Sequence, residues 1–344
     1  MMNRRKLVLV VGALAATACA EPTLVAPADK SYASLFDQMW HETDLTYSMF
    51  TIKHVNWDSV GAVYRPRAIA AQSDLAFARV LSDMLSSLHD RHVSLTPGRG
   101  AMPLTYQAAS DYQPLDFDST LVERVYLTRR LSAAVVPHFH AGWLSPTVAY
   151  IRFPNFVGSD WGGELDAALD SLQSAKQLVI DVRCNPGGNY ELALDLAGRF
   201  TDQTGVFGYV RIRNGPKHDD LTDPIAEMLR PTGRRRFTGP IYLLTNRRVF
   251  SSAENFALAL HQLPNVVTVG DTTGGSSGRP VTRELANGWT YELSTWIEYT
   301  ADHRVVEDAG VAPALVVPRT SSVSALNKRD AVLDRVLGLA AGGG

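Results

Sequence analysis

Between Arg248 and Gly275 the chain reads RVFSSAENFALALHQLPNVVTVGDTTGG, and two serines open what reads as a helix. A hydroxyl at a helix N-terminus lies among free backbone N–H groups, at the positive end of the dipole. There it can cap the helix. It can also attack a carbonyl, because the same N–H groups can hold the oxyanion that the attack creates. Ser251-x-x-Glu254 has the spacing of a capping box, with Ser251 at N-cap and Glu254 at N3. The cap and the nucleophile are compatible readings. A second loop, DVRCNPGGNYE, carries Asn185-Pro186-Gly187-Gly188 between an apolar strand and a helix. Paired glycines make a tight turn, and they also let backbone N–H groups approach an anion. Asp181 and Arg183 flank that strand end and are expected to brace the loop.

Other reactive side chains read more quietly when taken alone. His89 and His92 lie three apart, as two metal ligands on one helical face would, but no third ligand follows at a recognisable spacing. His92 by itself reads as a hydrogen-bonded structural histidine, and Glu307-Asp308 as a surface acidic pair. His138-x-His140 reads as a solvated strand edge. Cys184 follows the apolar run QLVIDVR and reads as a buried structural thiol.

The elements that must hold these residues divide into two regions. Residues 31–97 read as helical: SYASLFDQMWHETDLTYSMF has near-helical apolar spacing, and Ser73 is a plausible N-cap for DLAFARVLSDMLSSLHD. Residues 98–146 are irregular, with one strand-like patch at LVERVYLTRRL. From 147 to 340 strands and helices alternate. TVAYIRF, KQLVIDVR, GPIYLLTN and NVVTVGD read as strands, and three of them are nearly continuous apolar runs separated by helical segments. Strands apolar on both faces imply a layered α/β core. WTYELSTWIEYT alternates like one further strand with an exposed face. Both glycine- and serine-bearing loops then stand at C-terminal strand ends, where such folds place their sites.

The ordered set DVRCNPGG, FSSAENFALAL, VGDTTGG and VVEDAGVAP, preceded by NWDSV and LHDRHVSL, resembles the tail-specific, or C-terminal-processing, serine peptidases. The resemblance implies a crotonase- and Clp-protease-like core, with Ser251 as nucleophile. Ser252 would give one oxyanion N–H, and Gly187 or Gly188 the other. Many members use a lysine base shortly after the VGDTTGG equivalent. Here that position is Ser276, and no lysine occurs between Lys217 and Lys328. The branch resembling the tricorn protease core uses a histidine instead. That places His92 as base and Glu307 as the carboxylate of its relay. Arg91 stands where that branch has a serine linking the two, which leaves Ser94 or a water as the link. The 98–146 segment is too short for a complete PDZ domain. A retinoid-binding protein shares the scaffold, so an apolar-ligand or peptide binder, or a hydrolase of non-peptide esters or amides, is the alternative to a peptidase.

Composition is that of a globular chain of 344 residues, 45% hydrophobic and 20% charged. A net charge of −2 gives no basic footprint for nucleic acid. Residues 1–20 read as a targeting segment: a basic start, then LVLVVGALAATA, too short to span a membrane. It ends in ATAC, which resembles a lipoprotein box with Cys19 as the acylated residue, though Ala16-x-Ala18 also fits ordinary cleavage. A tether follows at 21–30. The sequence therefore predicts an exported serine peptidase, periplasmic or held at the outer membrane by a lipid, that takes polypeptide substrates and needs no metal or cofactor.

Overall fold

The computed structural model describes residues 29–106, 117–317 and 329–342; the expected targeting segment, Cys19 and most of the tether lie outside them. A seven-stranded sheet forms the centre. Its order is Leu315–Val316, Val266–Gly270, Ile241–Thr245, Gln177–Asp181, Val148–Arg152, His140–Trp143, Arg129–Arg130. The first five run parallel, and the last two are joined on by successive antiparallel pairings. The parallel strands carry apolar side chains on both faces because both faces are covered. Ala149, Ile151, Leu178, Ile180 and Leu243 pack with Leu165, Leu192, Leu196, Phe256 and Leu260 from three crossover helices. Their alternates Val148, Tyr150, Val179, Leu244 and Val269 pack on the other side against Val122, Tyr126, Leu333 and Val336. The helix Ser252–His261 is buried at every position from Ser252 to Leu260, which explains its apolar FALAL run.

The N-terminal helices are Tyr32–Thr46, Phe50–Lys53, Trp57–Ile69 and Asp74–Ser86. Ser73 caps the last by accepting from the Ala76 N–H. The continuous helix expected through Phe50 breaks after Thr46, and the sequence reading missed Trp57–Ile69, which Asn56 caps. Strand Ser94–Thr96 leaves this region and pairs antiparallel with Thr290–Ser294. Accordingly Leu81, Leu85 and Leu95 share one core with Tyr291, Leu293 and Ile297, so residues 31–97 and the C-terminal part of the chain are packed as one.

Two local expectations fail. The patch LVERVYLTRRL is a helical turn capped by Asp118, continuing as a π-turn over Val122–Tyr126, with only Arg129–Arg130 in a strand. WTYELSTWIEYT is two strands in different sheets. Thr290–Ser294 belongs to the sheet with Ser94–Thr96, and Trp296–Thr300 pairs with Gly205–Ile212. The N–H groups of Thr295 and Trp296 both donate to the Gly278 carbonyl, which turns the chain between them.

The three-stranded sheet Trp296–Thr300, Gly205–Ile212, Ile225–Leu229 buries Glu298 and Glu227 beneath the Ser252–His261 helix. Asn255 of that helix donates to Glu298 Oε1 at 2.5 Å, and the Tyr190 hydroxyl donates to Glu227 Oε1 at 2.6 Å. Burial raises both carboxyls, and the Glu227 charge raises Glu298 further. The folded state thus holds a proton that the unfolded chain releases in the ordinary glutamate range. The stability is whole below that range and is lost as pH rises through the raised folded value. Glu298→Gln replaces the Glu298 proton with a permanent amide donor. Its melting temperature is expected to fall less than wild type as pH rises above the ordinary glutamate range. Parallel pH curves for the two proteins would refute this.

Candidate active site

Ser251 sits at the turn from Ile241–Thr245 into the Ser252–His261 helix with φ 56° and ψ −131°. A non-glycine residue held there costs on the order of 1–3 kcal/mol. Surrounding bonds enforce it. Its N–H donates to the Ser276 carbonyl at 2.9 Å, its carbonyl accepts from Glu254 N–H at 2.7 Å, and Phe250 N–H donates to the Asn185 carbonyl at 3.0 Å. The capping box does not form: the Ser251 side chain makes no cap hydrogen bond. A capping serine needs extended backbone, which this residue lacks. Glu254 is also engaged elsewhere. Fully buried, it accepts from the Thr273 hydroxyl and from the N–H groups of Gly275 and Ser276, and burial pushes it up to about 7.

The glycine loop packs against this turn. Gly187 and Gly188 have φ of 91° and 138°, conformations glycine alone adopts cheaply. A Cβ on Gly187 would stand 2.7 Å from Ser251 Cβ and 2.9 Å from Ser252 N, so this glycine leaves open the space before Ser251. The Gly187 N–H is occupied by Asn185 Oδ1 at 2.8 Å. Next to it, Gly187 O and Asn189 N–H bond Phe156, while the Gly188 N–H between them finds no acceptor among the described residues. Ser252 opens its helix, so its N–H is one of the free first-turn donors. Asp181 and Arg183, expected to brace the loop, bond each other and Asp330 at the strand end before it. The buried guanidinium contacts Asp181 Oδ1 at 3.0 Å and Oδ2 at 2.7 Å, and Asp330 Oδ1 at 2.9 Å. Cys184 is half-buried rather than buried, with φ 59°, its N–H donating to Asn246 Oδ1 at 3.0 Å.

His92 arrives from the N-terminal region. The Asp74–Ser86 helix has already ended and His89 adopts φ 51°, so His89 and His92 share no helical face. Buried Asp90 accepts from the His92 N–H at 2.8 Å and from the Ser294 hydroxyl at 2.7 Å, which ties the turn to the paired strand. The imidazole stacks on Phe250, the residue before Ser251, at 4.4 Å between centroids. Its Nδ1 lies 3.0 Å from Ser276 Oγ, and its buried Nε2 has no partner. Burial lowers its pKa to about 4; Arg91 and Lys53 push the same way and Asp90 opposes them. No hydrogen bond joins Nε2 to Ser251, a contact that apo enzymes often form only with substrate bound.

Glu307 does not reach His92. It pairs with Lys53 at 2.7 Å, both side chains buried, and its Oε2 is unpartnered. Lys53 also bonds Asp308 at 2.8 Å and the His89 carbonyl at 3.0 Å. Burial and the Asp90 charge push Glu307 up to about 8, against the pull of Lys53. The Ser94 hydroxyl goes to Glu292 at 3.0 Å and supplies no link. Arg91, where the histidine branch has a serine, donates to the Gly274 carbonyl at 3.0 Å and covers the Phe250 ring. Reading the sequence missed Lys53, Asp90 and the contact of Ser276 with His92; of these only Ser276 carried a signal, as the occupant of the lysine position. The His138–His140 pair separates, His138 to Glu164 at 2.7 Å and His140 to Glu123 at 3.2 Å. Among the described residues no cluster of three or more histidine, cysteine or acidic side chains could hold a metal, and no helix is long and apolar enough to cross a membrane.

Residues 147–317 match Peptidase family S41, and residues 28–86 match the Tricorn protease C1 domain. The carboxy-terminal processing protease CtpA of Bacillus subtilis is 33% identical over 152 residues, 44% of this chain and 31% of that protein. The chain spans about a third of the length of the curated relatives it matches. A putative peptidase from Parabacteroides merdae superposes with a TM-score of 0.79 at 27% identity, over 90% of this chain and 97% of that one. Mature CPAF complexed with lactacystin superposes at 0.68 with 13% identity, over 91% and 98%, a likeness of fold alone. With its α/β core, its helical N-terminal region and these matches, the chain belongs to Peptidase family S41.

Proposed function

We propose that this chain is an exported serine peptidase that cleaves polypeptides through an acyl-enzyme on Ser251. The observation that carries this is the pairing of an uncapped, strained Ser251 with a buried neutral imidazole that stacks on the preceding residue and keeps Nε2 free. In the reaction His92 Nε2 takes the Ser251 proton as Oγ attacks the peptide carbonyl, then returns it to the leaving amine. Water, deprotonated by the same nitrogen, releases the acyl group. The free N–H groups of Gly188 and Ser252 receive the oxyanion, and Gly187 keeps the space clear. Glu307 is held by Lys53 and does not contact the imidazole; the carboxylate whose charge favours the protonated ring is Asp90. The basic, apolar N-terminus supports export, and ATAC supports attachment through a lipid on Cys19.

The test is to incubate the protein, freed of its N-terminal apolar segment, with a mixed unstructured peptide library and, separately, with a fluorophosphonate probe. New peptide termini and a covalent tag on Ser251 are expected in mass spectra. A folded protein that yields neither is a binder on this scaffold. A tag on Ser251 without cut peptides identifies a hydrolase of non-peptide esters or amides.

A further inference from the structure

The imidazole at this site is neutral over most of the pH range, so its usefulness as a base depends on which nitrogen carries the one ring hydrogen. In most serine hydrolases a carboxylate decides this by accepting from Nδ1–H. Here the carboxylate expected in that role is engaged by Lys53. The only group within hydrogen-bond distance of Nδ1 among the described residues is the Ser276 hydroxyl, at 3.0 Å.

We propose that Ser276 is the positioning residue that sets the His92 tautomer: its hydroxyl accepts the Nδ1–H and leaves Nε2 as the bare nitrogen that takes the Ser251 proton. Two orientations of the contact are conceivable. If the hydroxyl donated to Nδ1, the hydrogen would sit on Nε2, a buried donor with no acceptor. Orphaned buried N–H groups are rarer than under-satisfied acceptors. Accepting from Nδ1–H instead leaves the Ser276 hydroxyl hydrogen, which turns freely about Cβ–Oγ, as the donor without an acceptor among the described residues. Only this orientation supplies the Nε2 lone pair that a base at His92 needs.

Ser276 is also built to hold its place. It is 1% exposed, and Glu254 accepts from its N–H and that of Gly275. Its carbonyl accepts from the Ser251 N–H at 2.9 Å. One residue therefore touches the base with its side chain and the nucleophile with its backbone, and fixes the distance between them. Glu254 gains a use that its sequence spacing did not suggest: it holds the loop that orients the base.

The inference rests on His92 being the base, and its test reads the ring directly, without turnover. Long-range proton–nitrogen spectra of histidine-labelled protein at about pH 7, well above the His92 value, are expected to show protonated Nδ1 and bare Nε2. His92→Gln assigns the signals. Ser276→Ala is expected to shift the ring toward a mixture with the Nε2–H form. It should also lower kcat about ten- to a hundred-fold with KM little changed, short of the roughly 10⁴-fold loss when a triad is forced into the wrong tautomer. Ser276→Thr, which keeps the hydroxyl, should restore the Nδ1–H form. A wild-type ring protonated on Nε2 overturns the proposal even if no variant folds, and so does an unchanged tautomer in folded Ser276→Ala. An Nδ1–H ring in a protein that cleaves nothing leaves the positioning intact and removes the peptidase reading.

Discussion

Ser251→Ala and His92→Ala are each expected to lower kcat/KM on a cleaved peptide by about 10⁴- to 10⁶-fold, and the double variant to be no slower than the worse single one. Nucleophile and base act as a unit, so removing either forfeits nearly all that the pair supplies, and the residual rate comes from the oxyanion donors and binding. The base also dictates the acid limb of the pH profile. Only neutral His92 can accept a proton, and burial holds its pKa near about 4. Wild-type kcat/KM is therefore expected to stay level through mildly acidic pH and to fall as pH drops through about 4. An acid limb at the ordinary histidine value of about 6.5 would mean that substrate-free His92 is hydrated rather than buried. Additive losses in the double variant would mean that a different base serves Ser251.

Gly187→Ala is expected to cost at least about 10²- to 10³-fold in kcat, the loss that follows removal of one oxyanion donor. Here the donor is not deleted but obstructed. The new methyl would stand 2.7 Å from Ser251 Cβ, 2.7 Å from the Phe250 carbonyl oxygen and 2.9 Å from Ser252 N. The loop cannot yield easily, because Asn185 holds the Gly187 N–H and Phe156 holds its carbonyl. A φ of 91° adds strain for any side chain. Fluorophosphonate labelling separates the effects: a folded variant with slow labelling and slow turnover has lost the oxyanion space. Full turnover in Gly187→Ala would show that the oxyanion is held elsewhere.

What could be read in advance follows from how local each signal is. The parallel core was legible because strands such as Gln177–Asp181 are apolar on both faces, a pattern few other environments produce. The strand-end place of the glycine loop and of Ser251 could be read from the alternation, but the choice of Ser251 over a simple cap rested on the resemblance to the C-terminal-processing peptidases. The Ser-x-x-Glu spacing was misleading, since spacing alone does not reveal that Ser251 has a positive φ or that Glu254 turns toward Gly275. Lys53 and Glu307 meet across most of the chain, and neither has a neighbour in sequence that announces the other. The split of WTYELSTWIEYT depends on a carbonyl at Gly278, outside the segment whose alternation was being read. Ser276 was noted only as a missing lysine; its use became visible once the loop and the imidazole were in one frame.

The pairing of Ser94–Thr96 with Thr290–Ser294 has a consequence for the order in which the site can assemble. Ser94 and Glu292 are 198 positions apart, and the strand that carries Glu292 also anchors the His92 turn through Ser294 and Asp90. During synthesis His92 emerges early and Ser251 much later, and the turn that carries His92 is anchored only once Ser94–Thr96 has paired with Thr290–Ser294. Closing so long a loop is among the slow events in assembling a chain. On the proposed mechanism, Ser251 therefore gains its base only after this long-range pairing has formed, late in the assembly of the chain.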